Sequence, residues 1–544
     1  MNKVAHYLQQ HLGGEILASA DVLDYFATDE SIFTIRPQLV VYPRSENDIR
    51  KVCRFTWQLA EKGKVVPITA RGMGTDQTGA ALGTGIIIAT PAHLNKVVEF
   101  DSKSGVITAE AGTTLDKLQQ VLHTHGRFLP AISAVNKYAT LGGAVSNNDR
   151  GRASYKYGPV AEFVRGLRVV LANGELIETG RLSKREFNKK LGLASFEGEI
   201  YRSLDKLIEE SQNYLQGMAA VTDISPAGYG LSDVRQKDGS VDLTPLFVGS
   251  QGTLGIITEV TLNTAPYNPQ MTQIVVGFGD RVSGWKAVHE INNLKEGPAS
   301  IDFIDLSLVQ MIQRVNPGIL KPLGGGIPAA LFFIDIDGDN IRTRKKIQKK
   351  IAKILEAQSG EIVMPKPEEL DEWERLRDSA SLHLTIDSGK KRAIPILDDA
   401  YVPIDRMAEF FNEFEELMKV AGFSEYAAWG QAGSGLVHVA PLLDISSVGD
   451  RQKMFKVMDA YYDYVCKIGG SIAGEYAEGR VRGQFNDKLF QPEAMEAFRK
   501  LKQIFDPTRT LNPDVKINVR ANELRSHVRD SYSLDYQYSH LPRS

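Results

Sequence analysis

The sequence predicts an α+β protein of two unequal folding units, and three observations carry that prediction. Helical and strand periodicities alternate along most of the chain, glycine-rich loops punctuate its first half, and past about residue 268 a second, regular strand–helix alternation begins. Residues 1–37 read as a short helical preface. Residues 38–42 form a strand, Ser45 caps a helix that stops at Gly63, and residues 64–69 form the next strand. Short β runs recur at 85–89, 96–100 and 105–109, and a helix over 114–126 follows. Asn173-Gly174 supplies the turn of a hairpin between 163–172 and 176–179. A long helix covers about 198–216, and a strand over 256–262 closes the first unit, 38–267. In the second unit, 268–518, strands at 273–278, 300–305 and 329–336 alternate with helices at 283–295, 307–315 and 342–358. A helix over 405–420, a glycine-rich strand pair at 427–442 and a helix over 450–468 extend it. Residues 519–544 read as a loosely held polar tail.

Composition narrows the function classes. The chain has 544 residues, enough for three average domains or two large ones. At 42% hydrophobic and 24% charged it is an ordinary globular composition with ample apolar material for sizeable cores. Sixty-four basic residues against 67 acidic ones leave no basic field for a nucleic-acid partner. The two cysteines, Cys53 and Cys466, make neither a CxxC pair nor a four-cysteine cluster, and they suit a reduced, cytoplasmic setting. No uninterrupted apolar h-region opens the chain, and no apolar run reaches bilayer length, so neither a secretory signal nor a transmembrane segment is expected.

The glycine loops carry the first chemistry. No G-x-G-x-x-G follows a strand into a helix, and no P-loop is present. Instead, Arg71-Gly-Met-Gly-Thr-Asp76 lies between strands, where glycines let backbone N–H groups form an anion-binding nest. Thr140-Leu-Gly-Gly-Ala-Val-Ser-Asn-Asn148 opens a helix and offers a second approach for phosphate. Gly249-Ser-Gln-Gly-Thr-Leu-Gly-Ile256 is the third loop and runs into a strand. Any one of them alone is an ordinary turn; the ordered set is the signal.

In that order the loops make residues 38–265 resemble the FAD-binding, PCMH-type domain of the vanillyl-alcohol oxidase superfamily, in which two α/β subdomains grip the flavin. The second half resembles the ferredoxin-like α+β substrate (cap) domain of FAD-linked 2-hydroxy-acid dehydrogenases: D-lactate dehydrogenase, the glycolate oxidase flavin subunit and D-2-hydroxyglutarate dehydrogenase. Leu141–Asn148 followed by Tyr157-Gly158 looks especially like large dehydrogenases often fused to iron–sulfur domains, a fusion this sequence does not carry. The resemblance implies FAD held non-covalently, since no histidine sits in the first loop. It places Arg71, Gly72, Met73, Gly74, Thr75 and Asp76 at the pyrophosphate loop. Ser133, Thr140, Gly142, Gly143, Asn147, Asn148 and Ser154 would line the cofactor, joined by the Ile256 backbone and by Asn512 of a returning C-terminal strand.

The family's catalytic half has two histidines seven apart and a Glu-His pair in a GGS-x-x-GE-H loop. Here those stretches read Gly430-Gln-Ala-Gly-Ser-Gly-Leu-Val-His438 and Gly469-Gly-Ser-Ile-Ala-Gly-Glu-Tyr476. His438 and Glu475 match; Gln431 and Tyr476 stand where the family has histidine. The resemblance implies a weak divalent-metal site at His438, Glu475 and Gln431, too poor in imidazole for tight zinc. Tyr476 is the expected base. Its pKa must fall by about 3 units to act at neutral pH, with Arg480 or Arg482 as the cation to lower it. Trp373-Glu-Arg-Leu-Arg377 resembles the family's W-x-x-R, with Arg377, in competition with Arg375, gripping the substrate carboxylate. His123 and His125 sit at a helix end and read as C-terminal capping rather than a metal pair. The implied activity is hydride transfer from a 2-hydroxy acid to flavin N5. Electrons then pass to an external acceptor: a quinone, oxygen or a separate redox protein. A different alcohol substrate and a catalytically degenerate flavoprotein subunit are the alternatives. A homodimer is a further expectation.

Overall fold

The computed structural model describes residues 3–132, 138–222, 224–338, 340–380 and 387–532. Its first sheet runs in the order Glu15–Leu17, Leu39–Tyr42, Ile86–Ala89, Ile68–Arg71. The last three strands are parallel, and the first pairs antiparallel at the edge. The inner strands LVVY and IIIA are unbroken apolar runs because both faces are covered. Helix Glu46–Glu61 packs Ile49, Val52 and Cys53 against one face, while Leu23 and Phe26 pack on the other. The preface is therefore part of this subdomain and not an appendage.

A five-stranded antiparallel sheet follows, ordered Val97–Asp101, Val106–Glu110, Ile256–Asn263, Val164–Val170, Leu176–Glu178. The chain passes from it to a large antiparallel sheet between residues 263 and 272. In that sheet Thr272–Phe278, Ala330–Ile336 and Ser300–Asp305 are neighbours, with helices Arg281–Asn292, Leu306–Val315 and Ile341–Ala357 as their connections or cover. Ser300–Asp305 then pairs with Tyr426–Gln431, which pairs with Leu436–Leu443. Both flanking strands carry catalytic candidates, so their register sets the site.

The ends of the chain tie the units together. Ile68 N donates to Thr510 O at 2.6 Å, and Asn512 N donates to Ile68 O at 2.8 Å, so the C-terminal segment returns to the first sheet. The start of the expected loose tail is docked: Thr34 N donates to His527 O at 2.7 Å, and buried Tyr532 donates its hydroxyl to Glu30 O. Its polar composition concealed Val528 and Tyr532, which supply the apolar anchors.

Candidate active site

All three glycine loops open onto one cleft of ≈ 440 Å³, and the same cleft ends at His438, Glu475 and Tyr476. At the loop end, sterics dictate glycine. A side chain at Gly72 would put its Cβ 2.3 Å from Thr140 Oγ1, and one at Gly142 would meet Ala111 at 2.7 Å. Thr140 Oγ1 is itself held as the cap of helix Leu141–Asn147, accepting from Gly143 N. Gly74 is at φ +79°, in the left-handed region that glycine tolerates. Arg71, Met73, Thr75, Asp76, Asn147 and Ile256 also line the cleft. This lining of main chain and small residues fits a long cofactor with a diphosphate, and FAD is such a group.

Three expected cofactor residues turn elsewhere, and a fourth is not described. Ser133 lies outside the described residues. Asn148 turns the chain at φ 52° and accepts from Ala161 N with Oδ1, off the cleft lining. Ser154 accepts from Gly151 N, also off the lining. The Asn512 side chain accepts from Thr69 Oγ1 and donates to Ala80 O and Gln251 O, so its polar atoms are used as a strut behind the loops. The Arg71 guanidinium likewise turns to the backbone carbonyls of Phe26 and Thr28.

At the other end, buried charge dominates. His438 Nδ1 lies 2.6 Å from Asp398 Oδ1 and its Nε2 2.8 Å from Glu475 Oε2. The indole of Trp429, directly across the strand pair, stacks on the imidazole with centroids 5.4 Å apart. Burial penalises the imidazolium, but Asp398 and Glu475 outweigh it and hold the His438 pKa well above the ordinary histidine range. Burial also raises the Glu475 carboxyl. The loop carrying Glu475 and Tyr476 is pinned by Asp399, which accepts from both backbone N–H groups at 2.8 Å. Arg482, 1% exposed, pairs with Asp399 at 3.0 Å and donates to the carbonyls of Asp398, Asp399, Tyr476 and Ala477.

Three expectations need correction. A tyrosinate base requires a cation at the phenol, yet Arg482 turns to backbone carbonyls and Arg480 to Gly79 O, Leu82 O and Asp514 O. Burial, then the carboxylates of Glu475, Asp398, Asp399 and Asp149, pushes the Tyr476 pKa well above its ordinary value. That direction keeps the proton on the phenol, and its hydroxyl makes no hydrogen bond among the described residues. The metal site does not fit either. Both ring nitrogens of His438 are committed to carboxylates, and no set of three His, Cys, Asp or Glu among the described residues could hold an ion. Last, Arg377 lines the cleft while Arg375 is exposed, but the Arg377 guanidinium is already spent. It pairs with Asp302 at 2.6 Å, Asp335 at 2.7 Å and Glu374 at 3.3 Å, and donates to Ser300 Oγ.

Asp398, Asp399, Asp149 and Gln251 were not expected. Gln251 bridges the ends: its Nε2 donates to Asn147 Oδ1 at 2.8 Å, and its Oε1 accepts from Gly479 N at 2.9 Å. The usable signal for Asp398 and Asp399 was an acid pair inside the apolar run 394–402. His123 and His125 stack on Tyr267 and Phe100 at the end of helix Leu115–Thr124, apart from the cleft lining.

Two family models match this architecture: an FAD binding domain over residues 37–180 and the C-terminal domain of FAD-linked oxidases over 268–515. The chain thus carries an FAD-binding domain followed by the C-terminal domain of FAD-linked oxidases. It is 28% identical over 521 residues to D-2-hydroxyglutarate dehydrogenase of Pantoea ananatis, covering 93% of this chain and 50% of that protein. It is 26% identical to the glycolate oxidase subunit GlcD of Bacillus subtilis, covering 90% and 91%. Thus the chain spans about half the length of the first of these relatives and nearly all of the second. The solved p-cresol methylhydroxylase with substrate bound superposes with a TM-score of 0.68 at 15% identity, over 94% of this chain and 96% of that one, which shows the shared fold. FAD is thus the cofactor of this architecture. Among the described residues, no helix is long and apolar enough to cross a membrane.

Proposed function

We propose that this protein oxidises the hydroxyl of a 2-hydroxy acid and hands the electrons to an external acceptor: a quinone, oxygen or a separate redox protein. The observation that carries the reading is the Asp398–His438–Glu475 chain at the end of the cleft that the three glycine loops open onto. The 2-hydroxy-acid enzymes among the relatives support the substrate class. Bound FAD supplies the acceptor for the hydride that leaves the α-carbon. Glu475 takes the hydroxyl proton: it lines the cleft, and a carboxylate whose pKa is raised by burial is a stronger base at neutral pH. His438, charged between two carboxylates, orients Glu475 and stabilises its ionised form. The Tyr476 phenol, whose hydroxyl makes no hydrogen bond among the described residues, donates to the substrate carboxylate. Trp429 and the surrounding apolar strands exclude water. The buried thiol of Cys53 and the absence of any cysteine pair fit a reduced compartment, and we place the enzyme in the cytoplasm.

Anaerobic mixing with 2-hydroxy acids tests this reading: at least one should bleach the flavin bands. Glu475→Gln should slow that bleaching by on the order of 10²–10⁴-fold, the usual general-base contribution, with FAD still bound. Bleaching by no hydroxy acid would refute the activity, and an unchanged rate in Glu475→Gln would remove the proton from this residue.

A further inference from the structure

Four carboxylates surround two guanidiniums at the substrate end of the cleft. Arg377 is held by Asp302, Asp335 and Glu374. Arg152 is held by Asp302 at 3.1 Å, Glu374 at 3.2 Å and Asp378. Every nitrogen of both guanidiniums already faces an oxygen. A ligand carboxylate could form a bidentate pair with Arg377 only by displacing its buried partners Asp302 or Asp335, and it would then sit beside an uncompensated buried charge.

What the wall leaves open points the other way. Asp302 is 7% exposed and Gln431 6% exposed, and both line the cleft. Asp302 Oδ1 and Gln431 Oε1 are buried with no hydrogen-bond partner among the described residues. Their strands are neighbours, with Phe303 opposite Gly430 and Ile304 opposite Trp429. Extending that antiparallel register by one residue sets Asp302 beside Gln431 on one face. Trp429 shares that face and stacks on His438, which ties the two acceptors to the reacting centre. Buried acceptors without partners are costly, and a ligand donor would relieve that cost.

We propose that this wall selects a substrate bearing a hydrogen-bond donor, hydroxyl or ammonium, beyond its α-carbon and excludes a second carboxylate. The inference rests on the hydroxy-acid reading and deepens it: the substrate is a monoacid with a donor-bearing tail, not a hydroxy dicarboxylate. Gln431 contributes to this only because it is an amide. A histidine committed to a metal would offer no free acceptor at this point.

A ligand panel tests the wall in the holoenzyme. Anaerobic flavin reduction is measured with lactate, 2-hydroxyglutarate, gluconate and 4-amino-2-hydroxybutyrate. In parallel, binding of butyrate, glutarate and 4-aminobutyrate, which lack the oxidisable hydroxyl, is read from perturbation of the flavin spectrum. Gluconate or the amino acid should exceed 2-hydroxyglutarate at least 10-fold in rate over affinity, which of the two wins separating a hydroxyl from an ammonium. Likewise 4-aminobutyrate should bind at least 10-fold tighter than glutarate. Asp302→Asn should narrow both gaps. A faster 2-hydroxyglutarate, or tighter glutarate, in the wild type overturns the assignment whether or not the variant folds. If no hydroxy acid reduces the flavin, the oxidation reading fails, and the binding series still decides the wall.

Discussion

Where Gly72 meets Thr140, the cleft is shaped by what a side chain would strike. Where His438 meets Asp398 and Glu475, it is shaped by charge withdrawn from water. At the loop end the contacts are backbone and small residues, each fixed by local sterics and one cap. At the catalytic end, a histidine, two aspartates, a glutamate and Arg482 come from residues 398–399, 438, 475 and 482, and none is stable alone. One end tolerates the loss of charge and not of space; the other tolerates neither loss nor gain of charge.

The largest expected effect breaks the charged end. Arg482 is buried against Asp399 and four carbonyls, so Arg482→Met leaves a buried aspartate unpaired and should cost about 3–5 kcal/mol of unfolding free energy. Denaturant titration of the holoenzyme reads it. A loss below ~1 kcal/mol would mean that water reaches Asp399 and that the catalytic loop is not held by charge.

The loop end should fail differently. Gly72→Val drives a branched side chain into Thr140, whose hydroxyl caps the second loop, so the two loops must separate. FAD affinity should drop by on the order of 100-fold, about 2.7 kcal/mol, while the unfolding free energy of the FAD-free protein changes far less than in Arg482→Met. Flavin fluorescence titration and denaturant titration together sharpen the contrast. Retention of tight FAD by Gly72→Val would show that the loop has room to adapt.

That contrast also explains what could be read from the sequence. Glycines spaced through loops between short β runs are a local signal, and the alternation at 273–358 reproduced strands and helices nearly to their ends. The His438 and Glu475 positions came from the resemblance of their stretches to the family's motifs. Which group would be charged was not legible. Tyr476 reads as a base with arginines nearby, yet its partners in space are Asp398, Asp399 and Asp149, distant in sequence and invisible to spacing. Arg377 competes with Arg375 in the sequence, and its saturation by Asp302 and Asp335 depends on two strands that pair only in the fold. Docking of the tail rests on two apolar residues among polar ones, too weak a pattern to compete with the composition around it.

A smaller effect lies at the mouth of the cofactor end. Asp29 is buried, accepts from Ser31, and faces Asp76, Arg71 and Arg529; burial, then Asp76, raises its pKa to about 7. An unfolded aspartate titrates near 3.9. The unfolded chain therefore releases this proton first, and the stabilisation is complete below about pH 4 and lost as pH rises through about 7. Asp29→Asn keeps the acceptor and removes the titration, so it should stabilise the protein relative to wild type, roughly three times as much at pH 8 as at pH 5. Melting temperatures across pH 5–8 measure the slope. An unchanged slope in the variant would mean that Asp29 is hydrated and that this mouth is as open as the loops beside it.

The smallest effect bears on Tyr476 and decides between the two readings of the catalytic end. As a base it would contribute on the order of 10²–10⁴-fold. As a neutral donor it contributes one hydrogen bond to a charged ligand, about 1.5 kcal/mol, or roughly 10-fold. Its phenol is half-buried near carboxylates that hold the proton on oxygen, so Tyr476→Phe should lower the flavin reduction rate over substrate affinity by roughly 10-fold. Most of that loss should appear in affinity, with the pH profile unmoved between 6 and 9. Glu475→Gln, by contrast, should change the rate itself and the profile. A Tyr476→Phe rate down by 10³ with affinity intact would return the base to tyrosine. That result would require a cation to reach the phenol in the working enzyme, and the guanidinium of Arg482, now bonded to the carbonyls of Tyr476 and Ala477, would have to leave both to supply it.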